Sequence, residues 1–595
     1  MAEQSGPELI LHGGPLLTMD DVPEAGMTGA GGASPGTATR DTPGRGGLRG
    51  GPRDARPVRA HRALAIGGGR ILAVGDEEDV LALAGPGTRL VDLGGAAVLP
   101  GFQDQHAHPL AEGLRAAWVD LTTAPDLPAG LRRLAAAAAD ARASYESEPW
   151  VEAWYHPSAW REGRDPTRDE LDRAVPDLPV VLHHGSGHAA LGNSLALAYA
   201  GITAARADLP GATIERDAHG EPTGLVRGSD PVAPFAAALP PLTPEALRAA
   251  LRRVATQLSA AGVTAVADAH VGALGDLVAE LAAYAGAALD RDLPQRLTLM
   301  PGLAHLAAAD EDPPTPTDIA ALIPPDVREH IRVGPAKFFA DGALSTADAW
   351  LREPYADAAV RPTELARGRP ARDPAELTER LRRAHLAGWQ LATHAIGDAG
   401  VALALEAYRA ILATAPRADH RHRIEHAMIL SPDLLREAIE LGVIAVLQPE
   451  FVAVTGDVYL ERLGDRTAHL YAYRRWLDAG LRVAFASDRP FSPGAPLDGL
   501  RAALRLAGPS RRRLHDDPGP TVHEALRAWT ADAAWAAHDE AHSGRLAPGL
   551  RADLVVLSAD PRAAPPEAWA AGSDGIAVVA TIVGGVAVFG ADALD

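Results

Sequence analysis

From residue 97 to residue 490 the chain alternates short, strand-like apolar runs with stretches of helical period. This alternation constrains the fold more than any other feature. Strands joined in series through helices return to one sheet as parallel crossover units. Eight runs read as strands: AVLPGFQDQH (97–106), VTAVADAH (263–270), LPQRLTLMPG (293–302), IRVGPAKFFAD (331–341), WQLATHAI (389–396), HRIEHAM (422–428), VIAVLQPE (443–450) and RVAFASDRP (482–490). Between them, 373–388 and 398–415 carry the spacing of amphipathic helices. Eight such units predict an α/β chain built on a TIM-type (β/α)8 barrel. Roughly 155 residues separate the first strand from the second. One crossover does not need that length, so an inserted subdomain is expected at about 112–260.

Both ends of the chain are β-rich and broken by glycine, at 8–18 and 61–75 and again at 551–557 and 576–590. They predict one small β-sandwich made from residues 1–96 and 545–595, flanking a barrel over 97–544. Residues 21–58 hold 15 Gly or Pro among 38 residues. So few large apolar side chains cannot bury much surface, and a disordered insertion is expected there.

A hydrophobic fraction of 47% allows a sizeable core. No apolar run reaches the 18 residues a membrane helix needs, and the N-terminus lacks the basic and apolar regions of a signal peptide. Cysteine is absent, which excludes disulfides, Cys-ligated zinc and a Cys nucleophile. Cytoplasmic residence is the expectation. The net charge of −21 argues against a nucleic-acid partner. A small-molecule substrate is expected, with a homodimer as the assembly to test. Lys and Arg together number 56, and only one of these is a lysine, Lys337. A lone lysine among arginines points to a position where arginine cannot serve. A buried Lys amine can lose its proton, whereas a guanidinium stays charged.

His106 and His108 close the first predicted strand, and residues i and i+2 of a strand face the same way. An H-x-H pair is weak on its own, since His420 and His422 form a second. Position strengthens the first pair, because barrel enzymes keep their sites at the C-terminal ends of the strands. His394, His426 and Asp488 end the fifth, sixth and eighth strands, and Lys337 lies toward the end of the fourth. Imidazole and carboxylate suit zinc and related divalent ions. These six residues are the candidate ligands.

With these residues come VLPGFQDQHAHP, KFFADGALST, THAIGD, RIEH, SDRP and GRLAPGLRADLVVL, and in the insertion PVVLHHGSGHAALGNSLAL and ERDAHGEPTGLV. As a set they resemble the amidohydrolase superfamily, in its amidohydrolase-3, YtcJ-like branch, which includes N-substituted formamide deformylases. The resemblance spans nearly the whole chain apart from 21–58. It implies one or two divalent metals, zinc foremost. His106, His108 and Asp488 would hold the more buried ion, and His394 and His426 the second. Lys337, carbamylated by CO2, would bridge them in a binuclear centre. It implies hydrolysis of a non-peptide C–N bond, an amide or N-substituted formamide, by metal-activated hydroxide with Asp488 as general acid and base.

His188, Asn193, Asp341, Glu450 and Arg489 are the weaker, substrate-binding candidates. Asp398 and Glu425 adjoin histidine ligands. Strand alternation turns Glu425 away from its neighbour and places it behind the barrel. Trp154 and Trp160 read as core residues of the insertion, while Gln103, Gln105 and Gln448 depart from the family pattern. A deaminase or another hydrolase on the same barrel is the alternative. A non-catalytic metal-binding protein is a further one, against which the complete ligand set argues.

Overall fold

The computed structural model describes residues 6–20, 61–143, 150–157, 160–209, 212–228, 231–236, 238–274, 276–302, 311–357, 366–569 and 575–594. The segment 21–58 lies outside these residues. Eight parallel positions run in the order Phe102–Ala107, Val263–Val271, Arg296–Pro301, Ile331–Val333 with Ala336–Phe339, Leu391–Ala395, Arg423–His426, Ile444–Leu447 and Arg482–Phe485. The fourth is split at Gly334 and Pro335. The first three and the leading half of the fourth form one parallel sheet, and the remainder form another. The sheets meet where Asp488 N–H donates to the His106 carbonyl at 2.7 Å, and through Gly334 and Pro335, which join the two halves of the fourth strand.

The first predicted strand, 97–106, is divided. Ala97–Pro100 pairs antiparallel with Leu554–Leu557, while Phe102–Ala107 pairs parallel with Val263–Val271. The break falls at Gly101, where a Cβ would lie 2.1 Å from Thr264 atoms. The expected strand 97–106 is thus two strands, separated at this glycine. The terminal strands form two four-stranded sheets. Leu11, Leu64 and Ile66 from the first share one buried cluster with Val98, Leu554 and Ile582 from the second.

The insertion carries a six-stranded mixed sheet between Val119 and Arg227 with its own apolar clusters. It is shorter than the expected 112–260. Helix Pro244–Ala260 instead belongs to the main core, into which Leu247, Leu251, Val254 and Leu258 project. That spacing is one apolar helical stripe, each residue contributing about 1.5–3 kcal/mol by burial. Helix Pro109–Arg115 lies so close to it that a Cβ on Gly113 would meet the Ala250 carbonyl at 2.0 Å. Among the described residues no helix is long and apolar enough to cross a membrane.

Candidate metal centre

His106, His108 and Asp488 bring one ligand atom each to within 4.8 Å of one another. His106 ends a strand whose six residues are all buried. His108 leaves it with φ −131° and ψ 68°, and Pro109 starts the next helix. The backbone N–H of His108 donates to Arg489 at 2.8 Å, which ties this turn to the loop after the eighth strand. In that loop Asp488 has φ 57°. Its Oδ1 lies 3.1 Å from Nε2 of His108 and 3.4 Å from Nε2 of His106. That oxygen is buried and accepts no hydrogen bond. Burial pushes the Asp488 carboxyl up, with His108 opposing.

His106 is oriented from behind. Its Nδ1 meets the Glu425 carboxylate, and Glu425 receives Arg423 Nε at 2.5 Å. Arg423 also donates to the Gln105 carbonyl at 2.6 Å. A carboxylate on Nδ1 keeps the proton there and leaves the Nε2 lone pair facing Asp488. Glu425 is thus not behind the barrel. Strand alternation fails at the next residue, because His426 has φ 73° and Ala427 φ 40°. The chain leaves the extended conformation there, so adjacent side chains reach the same centre. An off-strand φ cannot be read from RIEH alone.

Lys337 is buried, with Nζ 3.2 Å from Nε2 of His106. Burial pushes its amine down to about 8, although Glu425 and Asp488 hold it up. The rings of His394 and His426 are 4.4 Å apart, and that of His426 is 5.0 Å from His106. They are not part of the three-residue cluster. His394 directs Nε2 to the Gly342 carbonyl at 3.3 Å. His426 directs Nδ1 to Gln448 Oε1 at 2.7 Å, which leaves its Nε2 uncommitted. Burial lowers the proton affinity of His106, His394 and His426, and neighbouring cations lower it further. Burial thus favours the neutral form of all three imidazoles.

Of the weaker candidates, His188 lines the cavity that also contains His394, His426 and Asp488. Its Nδ1 is buried without a hydrogen-bond partner, and its ring centroid is 5.3 Å from that of His394. The other four have structural partners. Asn193 caps helix Ser194–Tyr199, its Oδ1 accepting from Ala196 and Val180 and its amide donating to Leu178 at 2.9 Å. Asp341 accepts the backbone N–H groups of Trp350, Ile396 and Gly397, fixing the turn after His394. Glu450 accepts from Ser492 at 3.0 Å and Gly494 at 2.7 Å, fixing the loop after Asp488. Burial raises Asp341 and Glu450 each to about 7. Arg489 donates to Glu112 and Gln257, each at 2.7 Å, and so joins this loop to two helices. A local motif cannot distinguish a cap or clamp from a substrate contact.

The insertion supplies one wall of the cavity through Trp154, His156, Gly185 and Ser186. Trp160 is core, as expected, but Trp154 faces the cavity. The volume is about 280 Å³, which suits a small molecule. The donor set of this centre fits a divalent ion: two imidazole nitrogens and a buried carboxylate oxygen with no hydrogen bond converge at the ends of parallel strands.

An α/β fold with such a centre defines a metal-dependent hydrolase. The chain belongs to the Amidohydrolase family, which matches residues 89–589. It is 32% identical over 502 residues to "Putative amidohydrolase YtcJ" of Bacillus subtilis (strain 168), across 81% of this chain and 87% of that protein. It is 30% identical over 506 residues to the N-substituted formamide deformylase of Arthrobacter pascens, across 84% of this chain and 90% of that protein. The crystal structure of an uncharacterized metal-dependent hydrolase from Pyrococcus horikoshii OT3 matches with a TM-score of 0.66 at 21% identity, over 94% of this chain and 99% of that one. The shared fold is α/β of the TIM-barrel type.

Proposed function

We propose that this protein hydrolyses a non-peptide C–N bond in a small amide or N-substituted formamide. The observation that carries the proposal is the buried Asp488 oxygen held without a hydrogen bond between two imidazole nitrogens. In this reading the two parallel sheets form the wall of one eight-stranded barrel, and the terminal sheets form one sandwich beside it.

His106, His108 and Asp488 would hold the primary divalent ion, zinc being the expected one. Such an ion supplies Lewis acidity, which polarises a carbonyl and acidifies water. Asp488 takes the proton from the attacking water as its oxygen bonds to the carbonyl carbon. It returns that proton to the leaving nitrogen as the C–N bond breaks. Glu425 and Arg423 keep the His106 ring in one tautomer. His188 faces the substrate from the insertion. Lys337, with its amine lowered to about 8, has a neutral fraction near neutral pH. Its nitrogen can add to CO2, releasing one proton and forming a carbamate. That anion would join a second ion to the first, with the uncommitted nitrogen of His426 and the His394 ring nearby.

Metal analysis of the purified protein, combined with a panel of amides and N-substituted formamides, tests this reading. The expected result is one or two ions per chain and C–N hydrolysis that chelation removes and metal restores. Bound metal without hydrolysis of any C–N substrate would overturn it.

A further inference from the structure

Arg115 ends the helix that begins beside His108. Its side chain lines the same cavity as Asp488, and it is the only Lys or Arg among the described lining residues. Arg115 is half-buried, and the fully buried arginines have carboxylate partners: Arg423 pairs with Glu425, Arg489 with Glu112 and Arg421 with Glu540. Arg115 has none among the described residues. One Nη donates to the Pro490 carbonyl, and the guanidinium stacks on the Trp154 ring. Neither neighbouring carboxylate forms an ion pair with it: Glu112 Oε1 takes Arg489 while its buried Oε2 has no hydrogen-bond partner, and Asp120 Oδ1 takes the backbone N–H and hydroxyl of Thr122.

Burial pushes the Arg115 guanidinium down, with Glu112 and Asp120 opposing, but this group remains charged. A partly desolvated cation without a counter-ion is costly unless a ligand completes it. With the Trp154 ring beneath it, the planar fork matches the two oxygens of a carboxylate. Phe451, Phe491, Leu344 and Met428 make other parts of the wall apolar. The position also suits the chemistry. A seven-residue helix spans only about 10 Å, and helical side chains lean back toward the N-terminus, here toward His108. Pro490 lies two residues from Asp488, at most about 7 Å along the chain.

We propose that Arg115 is a specificity-determining residue that binds a carboxylate on the substrate. The amides taken by this site then carry an anionic group a few bonds from the scissile C–N bond and an apolar substituent, as an N-acyl amino acid does. The proposal rests on the hydrolytic reading of the same cavity.

N-acetylphenylalanine and its primary amide form a matched pair, alike in shape and different in charge. Their binding to the metal-loaded protein is measured by calorimetry, and acetate release is followed in the same samples. The wild type is expected to bind the carboxylate about tenfold or more tighter than the amide. The ratio should fall toward one in Arg115→Met and lie between in Arg115→Lys, which keeps the charge but loses the fork. Equal binding of both compounds by the wild type overturns the proposal, as does no binding of the carboxylate at millimolar concentration. A ratio that persists in folded Arg115→Met also overturns it. Carboxylate-selective, Arg115-dependent binding without acetate release supports this proposal and counts against the hydrolytic reading. Hydrolysis with no charge preference does the reverse.

Discussion

The chain contains two H-x-H pairs, His106 with His108 and His420 with His422, at opposite ends of the parallel strands. In the first pair His106 gives Nδ1 to Glu425, and its Nε2 meets only the Lys337 amine, at 3.2 Å. Its Nε2 and that of His108 converge on a carboxylate oxygen that accepts no hydrogen bond. In the second pair every ring nitrogen has a partner. His420 Nδ1 accepts from the His422 backbone at 2.8 Å, and its Nε2 donates to Leu441 at 2.9 Å. His422 Nδ1 accepts from the Leu391 backbone at 3.1 Å, and its Nε2 donates to His385 Nδ1 at 2.9 Å. His385 closes the chain on the Ala415 carbonyl at 2.8 Å. The same short pattern is therefore a donor set at one end and a hydrogen-bonded strut at the other. The difference lies in how many lone pairs the fold leaves unspent.

The widest separation between the two ends should come from Asp488. Asp488→Asn removes the group that moves the proton and one anionic ligand. A loss of about 10²–10⁴-fold in kcat/KM is expected, together with a lower metal content measured by elemental analysis. Unchanged metal content and activity would show that the first pair is no more a metal site than the second. Lys337→Arg keeps a cation but cannot form a carbamate. Loss of activity and of any second ion is expected, and a fully active, fully metallated variant would exclude the bridging role. Glu425→Gln should weaken metal binding by about 10–100-fold, the usual effect of removing the partner behind a ligating imidazole. Competition with a chelator reads this directly and does not depend on activity.

The same contrast shows what a sequence can and cannot carry. The eight strands were legible because apolar periodicity is local and repeated. His106, His108 and Asp488 were legible because each sits at or just past the end of such a strand. Glu425 was not, because alternation holds only while the backbone stays extended, and His426 at φ 73° has already left that region. Arg423 holds Glu425 along its own strand and reaches Gln105 across the interior, the latter a contact between strands far apart in sequence. Asn193 and Arg489 were recognised as special, but their partners lie in neighbouring elements and make them a cap and a clamp. The split at Gly101 was hidden because Ala97–Pro100 and Phe102–Ala107 are equally apolar and differ only in which sheet they join.

Substitution at the second pair should act on stability alone. His422→Phe keeps the ring shape but leaves the Leu391 N–H and His385 Nδ1 without partners in a buried site. About 1–3 kcal/mol of unfolding free energy is expected to be lost for each such group, as measured by denaturant titration. Metal content should match the wild type. A variant that lost metal in proportion to stability would mean that the two ends are coupled.

The smallest effect is pH dependence, and its sign follows from the burial of these rings. Burial, reinforced by the neighbouring histidines, holds His422 well below the usual imidazole value of 6.5, and His420 and His385 are lowered as well. Protons therefore bind the unfolded chain more readily than the folded one. The contribution of this cluster is present above about pH 6.5 and is lost as pH falls below it. Buried carboxylates work in the opposite sense. Asp104 is raised by burial to about 6, and Asp341 and Glu450 to about 7, so their contribution is present at low pH and declines as pH rises through 6 to 7. The two groups partly cancel in the total curve, which makes the wild-type profile alone uninformative. Subtracting the His422→Phe profile isolates His422, because the carboxylates and the other histidines are common to both proteins. The stability difference between the two proteins should shrink from pH 7.5 to pH 5.5 in metal-loaded samples. A difference that stays constant over that range would show that His422 titrates alike in the folded and unfolded chain, and that burial does not disfavour its charged form.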